Sequence, residues 1–415
     1  MNNPVRFKLF IMMVLEFFIW GAWLPLIWGY MGQGEGALGF TDGQIALIGS
    51  AFAIASIAAI FFSNQFADRN FSAERFMAAS HLIGGLAMLA LFWTKSFPMF
   101  FALMLIHSLC YVPTISVANS LAFANLKDAT KEFGPIRMGG TIGWILASWP
   151  LYFILAGKTG AEAMVATKAI FLVSGIASLV LAAFSLTLPH TPPKKAAAGD
   201  SLAWLKAGKR LMAPFILVLF VVTFIDATIH NGYFLVTGGF LETKVGFEKK
   251  WIMPIMSLGQ VAEILTMLIL GMVLKKLGWK VTMIVGILGH AVRFGIYAFF
   301  PESQSLIVLV QLVHGICYAF FFAAVYIFID AAFPKDVRTS AQGWFNLLIL
   351  GLGDLAAKWT FIPLQGHFTV DGVVDYRSLF LVPTGMAFGA AVLLMIFFNP
   401  PKEVAAAASG SAPAH

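Results

Sequence analysis

Apolar residues in this chain come in long runs, not in the alternating or three-to-four stripes of a soluble fold. About twenty residues at 1.5 Å rise cover the ~30 Å hydrocarbon layer of a bilayer, so each such run predicts a membrane-spanning helix. Twelve are predicted, at roughly 6–30, 41–66, 74–93, 97–126, 135–157, 164–188, 213–240, 250–274, 279–300, 304–333, 341–363 and 377–398. The longest polar break, from His190 to Arg210, carries Pro192, Pro193, Lys194, Lys195, Lys206, Lys209 and Arg210 and divides the runs six and six. The pattern therefore predicts an all-α membrane protein of twelve transmembrane helices in two six-helix bundles. Residues 1–188 and 213–398 form the bundles, 189–212 the linker, and 399–415 an Ala-rich tail expected to be disordered. The first run is too long for a removable signal peptide and lacks a small-residue cleavage site.

Composition agrees. Hydrophobic residues make up 60% of the chain and charged residues 11%, and the mean hydropathy is +0.85, more apolar surface than a soluble fold of this length buries. The net charge of +7 is no nucleic-acid footprint, because Lys and Arg lie mostly in short loops. They concentrate on the side of both termini and the linker. The opposite loops hold only Lys95, Lys158, Lys168, Lys244, Lys249, Lys250 and Arg377, which places both termini in the cytoplasm. Cys110 and Cys317 fall inside runs as small packing residues, and no metal spacing, nucleophile motif or phosphate loop supports an enzyme or a cofactor. With no soluble output domain in view, a sensor is also disfavoured.

Polar residues inside the runs carry the chemistry. Trp251 to Val273 is apolar except near its middle, where Gln260 and Glu263 stand three residues apart on one helical face. A carboxylate at that depth costs several kcal/mol unless it faces a cavity, meets a cation or holds a proton; the alternative is a Glu that joins two helices. Glu16, followed by Trp20-Gly21-Ala22-Trp23, is either a cavity carboxylate or one partner of a buried ion pair. In the fourth run His107, Tyr111, Pro113, Thr114, Asn119 and Ser120 read as hydrogen-bonding glue between helices. Arg137, Thr141 and Trp144 share one stripe of the fifth, suited to a polar, flat solute; the plainer reading is a snorkelling Arg with glycines for close packing. Asp226, Thr228, His230 and Asn231 form a polar centre in the seventh, where the helix is expected to break around a cavity. His290 and Arg293 lie in the ninth, with Arg293 expected to neutralise a neighbouring acid in a structural role; His314, Gly315 and Tyr318 share a face of the tenth. Asp354 and Lys358, four apart in the eleventh, read as an internal ion pair.

Two stretches after the second and eighth runs, Asn64-Gln-Phe-Ala-Asp68-Arg69 with Arg75, and Gly271-Met-Val-Leu-Lys275-Lys276-Leu-Gly278-Trp-Lys280, resemble the cytoplasmic loop motif of the major facilitator superfamily. More specifically, Pro135-Ile136-Arg137-x-x-Gly140-Thr141-Ile142-Gly143, Trp20-Gly21-x-Trp23, Thr187-Leu188-Pro189-His190-x-Pro192 and Ser340-Ala341-Gln342-Gly343 resemble the nucleoside:H+ symporter family of that superfamily. The match runs in order across nearly the whole chain. It implies two bundles rocking around a central site, import of nucleosides across the bacterial cytoplasmic (inner) membrane by proton symport with alternating access, and action as a monomer.

The resemblance further implies substrate contacts at Arg137, Thr141, Trp144, Asn231, Gln260, Glu263, His314 and Tyr318, with Thr228 where relatives have an amide. Amides and carboxylates suit the ribose hydroxyls, and aromatic rings suit the base. One departure matters: relatives can have Asp where Ala319 stands. The proton then needs another carrier, for which Glu263, Glu16 and Asp226 are the candidates. The main rival is a carrier of the same fold for another polar solute, such as a sugar or glycoside.

Overall fold

The computed structural model describes residues 4–59, 71–126, 129–193, 200–334 and 338–401. Among these the protein is helical almost throughout. The exception is a small antiparallel hairpin, Thr369–Val370 with Val373–Val374, closed by Asp371 and Gly372 at positive φ. Among the described residues, nine helical stretches are long and apolar enough to cross a membrane. One of them, Lys249–Phe299, runs 51 residues, but Gly278 at φ 70° and ψ 178° divides it at the predicted loop. Only glycine adopts that left-handed backbone cheaply. The shorter apolar helix Asp42–Ala58 and the helix Ala73–Leu91 also fall on predicted runs. Of the loop motifs, Asn64 to Arg69 lies outside the described residues, whereas the second, from Gly271 to Lys280, contains the Gly278 break.

Breaks fall where backbone chemistry demands them. The first run is two helices, Pro4–Gly21 and Leu24–Met31. Pro25 has no N–H to give the carbonyl four residues back, and its ring clashes with that carbonyl. The seventh run corrects the expectation of a broken helix: Pro214–Thr243 is continuous. Its polar groups bond to its own turns, Thr228 Oγ1 to the Phe224 carbonyl at 2.8 Å and Asn231 Nδ2 to that of Ala227 at 2.9 Å. Irregularity appears instead as π-helical turns at Tyr318–Ala323 and Leu347–Leu352, a geometry frequent at functional sites.

Among the described residues, two helix starts are capped by side chains. Thr41 Oγ1 accepts from the Gln44 amide at 3.3 Å, and Gln44 Oε1 accepts from the Thr41 amide at 3.0 Å, a reciprocal capping box. Asp375 caps Tyr376–Phe397 by accepting from the Ser378 hydroxyl at 2.6 Å and its amide at 3.2 Å. These bonds hold the Asp375 carboxyl below the usual carboxylate range.

The described chain packs as two units, one of residues 1–196 and 234–257, the other of 197–233 and 258–415. In the first, the glycines of the fifth run allow close approach to Pro4–Gly21. A Cβ at Gly143 would lie 2.0 Å from the Val14 carbonyl oxygen, and one at Gly139 2.8 Å from that of Phe10. The Thr187-to-Pro192 motif is a clasp. Glu74 meets His190 Nδ1 at 2.8 Å and the Thr191 amide at 3.0 Å, Asn125 donates to Thr191 Oγ1 at 2.8 Å, and Lys8 donates to the Thr187 carbonyl at 2.6 Å. In the second unit, a Cβ at Gly315 would lie 2.4 Å from the backbone of Ala262, so the eighth and tenth runs meet without a side chain between them. The linker contains a helix, Asp200–Leu211, with Ala207 and Leu211 buried. Residues 402–415 of the expected tail lie outside the described residues.

Candidate functional site

Two polar clusters interrupt the apolar packing, one in each unit. In the first, Glu16 is fully buried. Its Oε2 lies 2.9 Å from His81 Nε2, and its Oε1 accepts from Thr114 Oγ1 at 2.7 Å. Tyr111 donates to the Glu16 backbone carbonyl at 2.6 Å, and Ser178 Oγ lies 3.3 Å from His81 Nδ1. Of the two readings of Glu16, the structure realises the buried pair. Every oxygen has a partner, which is what a carboxylate needs when buried in low dielectric. His81 is a residue the sequence reading missed. Its signal was an ionisable group well inside the run at 74–93, but nothing local tied it to an acid 65 positions away.

Beside this pair lies a box of rings. Trp20 stacks on Phe52 at 4.7 Å between centroids and meets Trp144 edge-on at 5.4 Å; Trp144 meets Phe234 edge-on at 5.7 Å. Four different helices supply these rings. Trp20 Nε1 is buried with no hydrogen-bond partner among the described residues. Arg137 lies 4.2 Å over the Phe17 ring, a cation–π contact that fixes its stem, and is half-buried, as is Thr141 on the same stripe. The arrangement offers flat apolar faces, an indole N–H and a guanidinium to one planar polar solute. Phe52 and Phe234 were not distinguishable in sequence from ordinary core residues.

In the second unit the centre is Arg293, fully buried. Its Nη1 lies 2.9 Å from His314 Nδ1 and its Nη2 2.9 Å from His290 Nδ1, with the guanidinium 3.9 Å over the Tyr233 ring. His290 Nε2 is 3.7 Å from Asp226 Oδ2, so Arg293 reaches its expected acid through a histidine. On the other side His314 Nε2 is 3.4 Å from the Gln260 amide, and His230 lies 4.9 Å from the His314 ring. Gln260 is buried, while Glu263 and Tyr318 are half-buried. Asn231 also reaches the Ile349 carbonyl at 3.3 Å, within the Leu347–Leu352 π turn. Ala319 is fully buried in the other π turn. Asp354 and Lys358 form the expected internal pair, both buried. Gln260, His314 and Asp226 are thus joined through Arg293 and His290. Arg137, Thr141 and Trp144 sit together in the other unit. Among the described residues, no group of His, Cys, Asp and Glu has the arrangement of a metal site.

Comparison with known proteins gives this arrangement a context. Residues 3–403 match the family model described as nucleoside H+ symporter. YegT of Escherichia coli (strain K12), which carries a nucleoside-transporter name, is 34% identical over 408 residues, spanning 94% of this chain and 93% of that protein. The xanthosine permease of the same organism is 29% identical, spanning 95% and 96%. A crystal structure of a variant of the nucleoside transporter NupG superposes with a TM-score of 0.85 at 25% identity, covering 95% of this chain and all of that one.

Proposed function

The chain belongs to the nucleoside H+ symporter family, and from that premise we propose that it imports nucleosides across the bacterial inner membrane by proton symport with alternating access. It is a multi-pass membrane transporter of the major facilitator fold, not an enzyme. The observation that carries the reading is the family match over residues 3–403. Relatives named for nucleoside and xanthosine transport support the substrate class. The alternative, a sugar or glycoside carrier, has no comparable support.

A twelve-span count is supported by the nine long stretches, the division of one at Gly278, and the helices Asp42–Ala58 and Ala73–Leu91. With it go bundles over 1–188 and 213–398, cytoplasmic termini, and a monomer in the lipid bilayer. Trp144 presents a ring to the base, while Arg137 and Thr141 offer donors at its edge. Gln260, Glu263, Asn231, Thr228, His314 and Tyr318 supply the remaining contacts, with Glu263 accepting from the ribose hydroxyls. The test is initial-rate uptake by Glu263→Gln. An amide oxygen accepts less strongly than a carboxylate, so KM for ribonucleosides rises about tenfold, ~1.4 kcal/mol, and by less for a deoxyribose substrate. Equal KM values for variant and wild type would remove Glu263 from the site.

A further inference from the structure

The geometry points to Asp226 as the group that carries the coupled proton, with His290, Arg293 and His314 linking it to Gln260. The inference rests on the symport reading above.

A guanidinium only donates hydrogen bonds. At 2.9 Å from its two Nη atoms, the Nδ1 atoms of His290 and His314 must therefore both accept. Each ring then carries its one proton on Nε2 and is neutral, since a second proton would set donor against donor and cation against cation. The Nε2–H of His290 is directed to Asp226 at 3.7 Å, outside hydrogen-bond range. The Nε2–H of His314 finds an acceptor when the Gln260 amide is turned so that Oε1, otherwise without a partner, faces it.

Asp226 is the remaining group. It is fully buried, and neither of its oxygens has a hydrogen-bond partner among the described residues. Glu16 is equally buried but differs on the second point, because both its oxygens are bonded. A bare buried carboxylate is costly, and a bound proton removes that cost. When the proton leaves, closing the 3.7 Å gap gives Asp226 a donor in His290–H and, through it, the charge of Arg293. The two protonation states thus favour different positions of His290, and Arg293 passes that difference to His314 and Gln260. The other ionisable groups facing this line are His230 and Tyr233 on the Asp226 helix, Tyr297 on the Arg293 helix, and Cys317 and Tyr318 beyond His314. The Asp354–Lys358 pair sits on the helix that packs against Ala227 and Gly232.

The test uses the purified full chain in proteoliposomes with an entrapped pH dye. Wild type is expected to show uridine counterflow and uridine-driven proton entry. In Asp226→Asn, proton entry and gradient-driven accumulation fall at least about tenfold, while counterflow, which moves no net proton, stays within about threefold. Asp226→Glu restores coupling, and His290→Gln displaces the pH profile of accumulation by about one unit. Retained proton entry in folded Asp226→Asn overturns the inference. So does parallel loss of counterflow and coupling, which marks a structural residue. If Asp226→Asn does not fold, an unchanged pH profile in His290→Gln overturns it instead. Absence of nucleoside counterflow in folded wild type would strike the symport reading itself.

Discussion

Trp144 and His81 separate two roles that polar and aromatic residues play inside this membrane protein. Trp144 stands among rings from three other helices, and a stacked base is worth about 1–3 kcal/mol. Trp144→Ala is expected to raise KM for nucleosides about tenfold in initial-rate uptake, with Trp144→Phe close to wild type; equal KM values in all three would exclude stacking there. His81, by contrast, exists to satisfy Glu16. His81→Ala leaves a buried carboxylate short of a partner, and removing one member of such a pair costs on the order of 3–5 kcal/mol. A lowered melting temperature with an unchanged proton-to-nucleoside ratio is expected; a changed ratio would place Glu16 in the coupling path. At this scale the sequence was legible where spacing sufficed. Gln260 with Glu263, and Asp354 with Lys358, are neighbours because helices repeat every 3.6 residues. Glu16 with His81, or Arg293 with His290 and His314, are joined by tertiary packing as well as by local period.

At the scale of elements, hydrophobic runs located the helices, and proline and glycine decided where they bend. Gly143 leaves the Val14 carbonyl no room for a side chain. Gly143→Val is therefore expected to separate the Pro4–Gly21 and Ala129–Leu146 helices and abolish monodisperse protein on size-exclusion chromatography; a normal elution profile would show the contact to be dispensable. Gly278→Ala forces a Cβ into backbone with positive φ and ψ near 180°, a region essentially reserved for glycine, and costs about 1–3 kcal/mol, readable as a lower melting temperature with transport intact. The expected break in Pro214–Thr243 failed for a physical reason: Thr228 and Asn231 each give a hydrogen bond to a carbonyl of their own helix. Polarity in a span signals a site without saying whether the backbone opens there. The π turns at Tyr318–Ala323 and Leu347–Leu352 had no local signature, because they arise from how neighbouring helices pack.

For the whole molecule, the family match joins a nucleoside to a proton. The most direct test is uptake of labelled uridine and adenosine into proteoliposomes with and without an inward proton gradient. Accumulation above the external concentration with the gradient, and only equilibration without it, is the predicted result. Equilibration that ignores the gradient would contradict symport, and no nucleoside uptake by verified, folded protein would contradict the substrate.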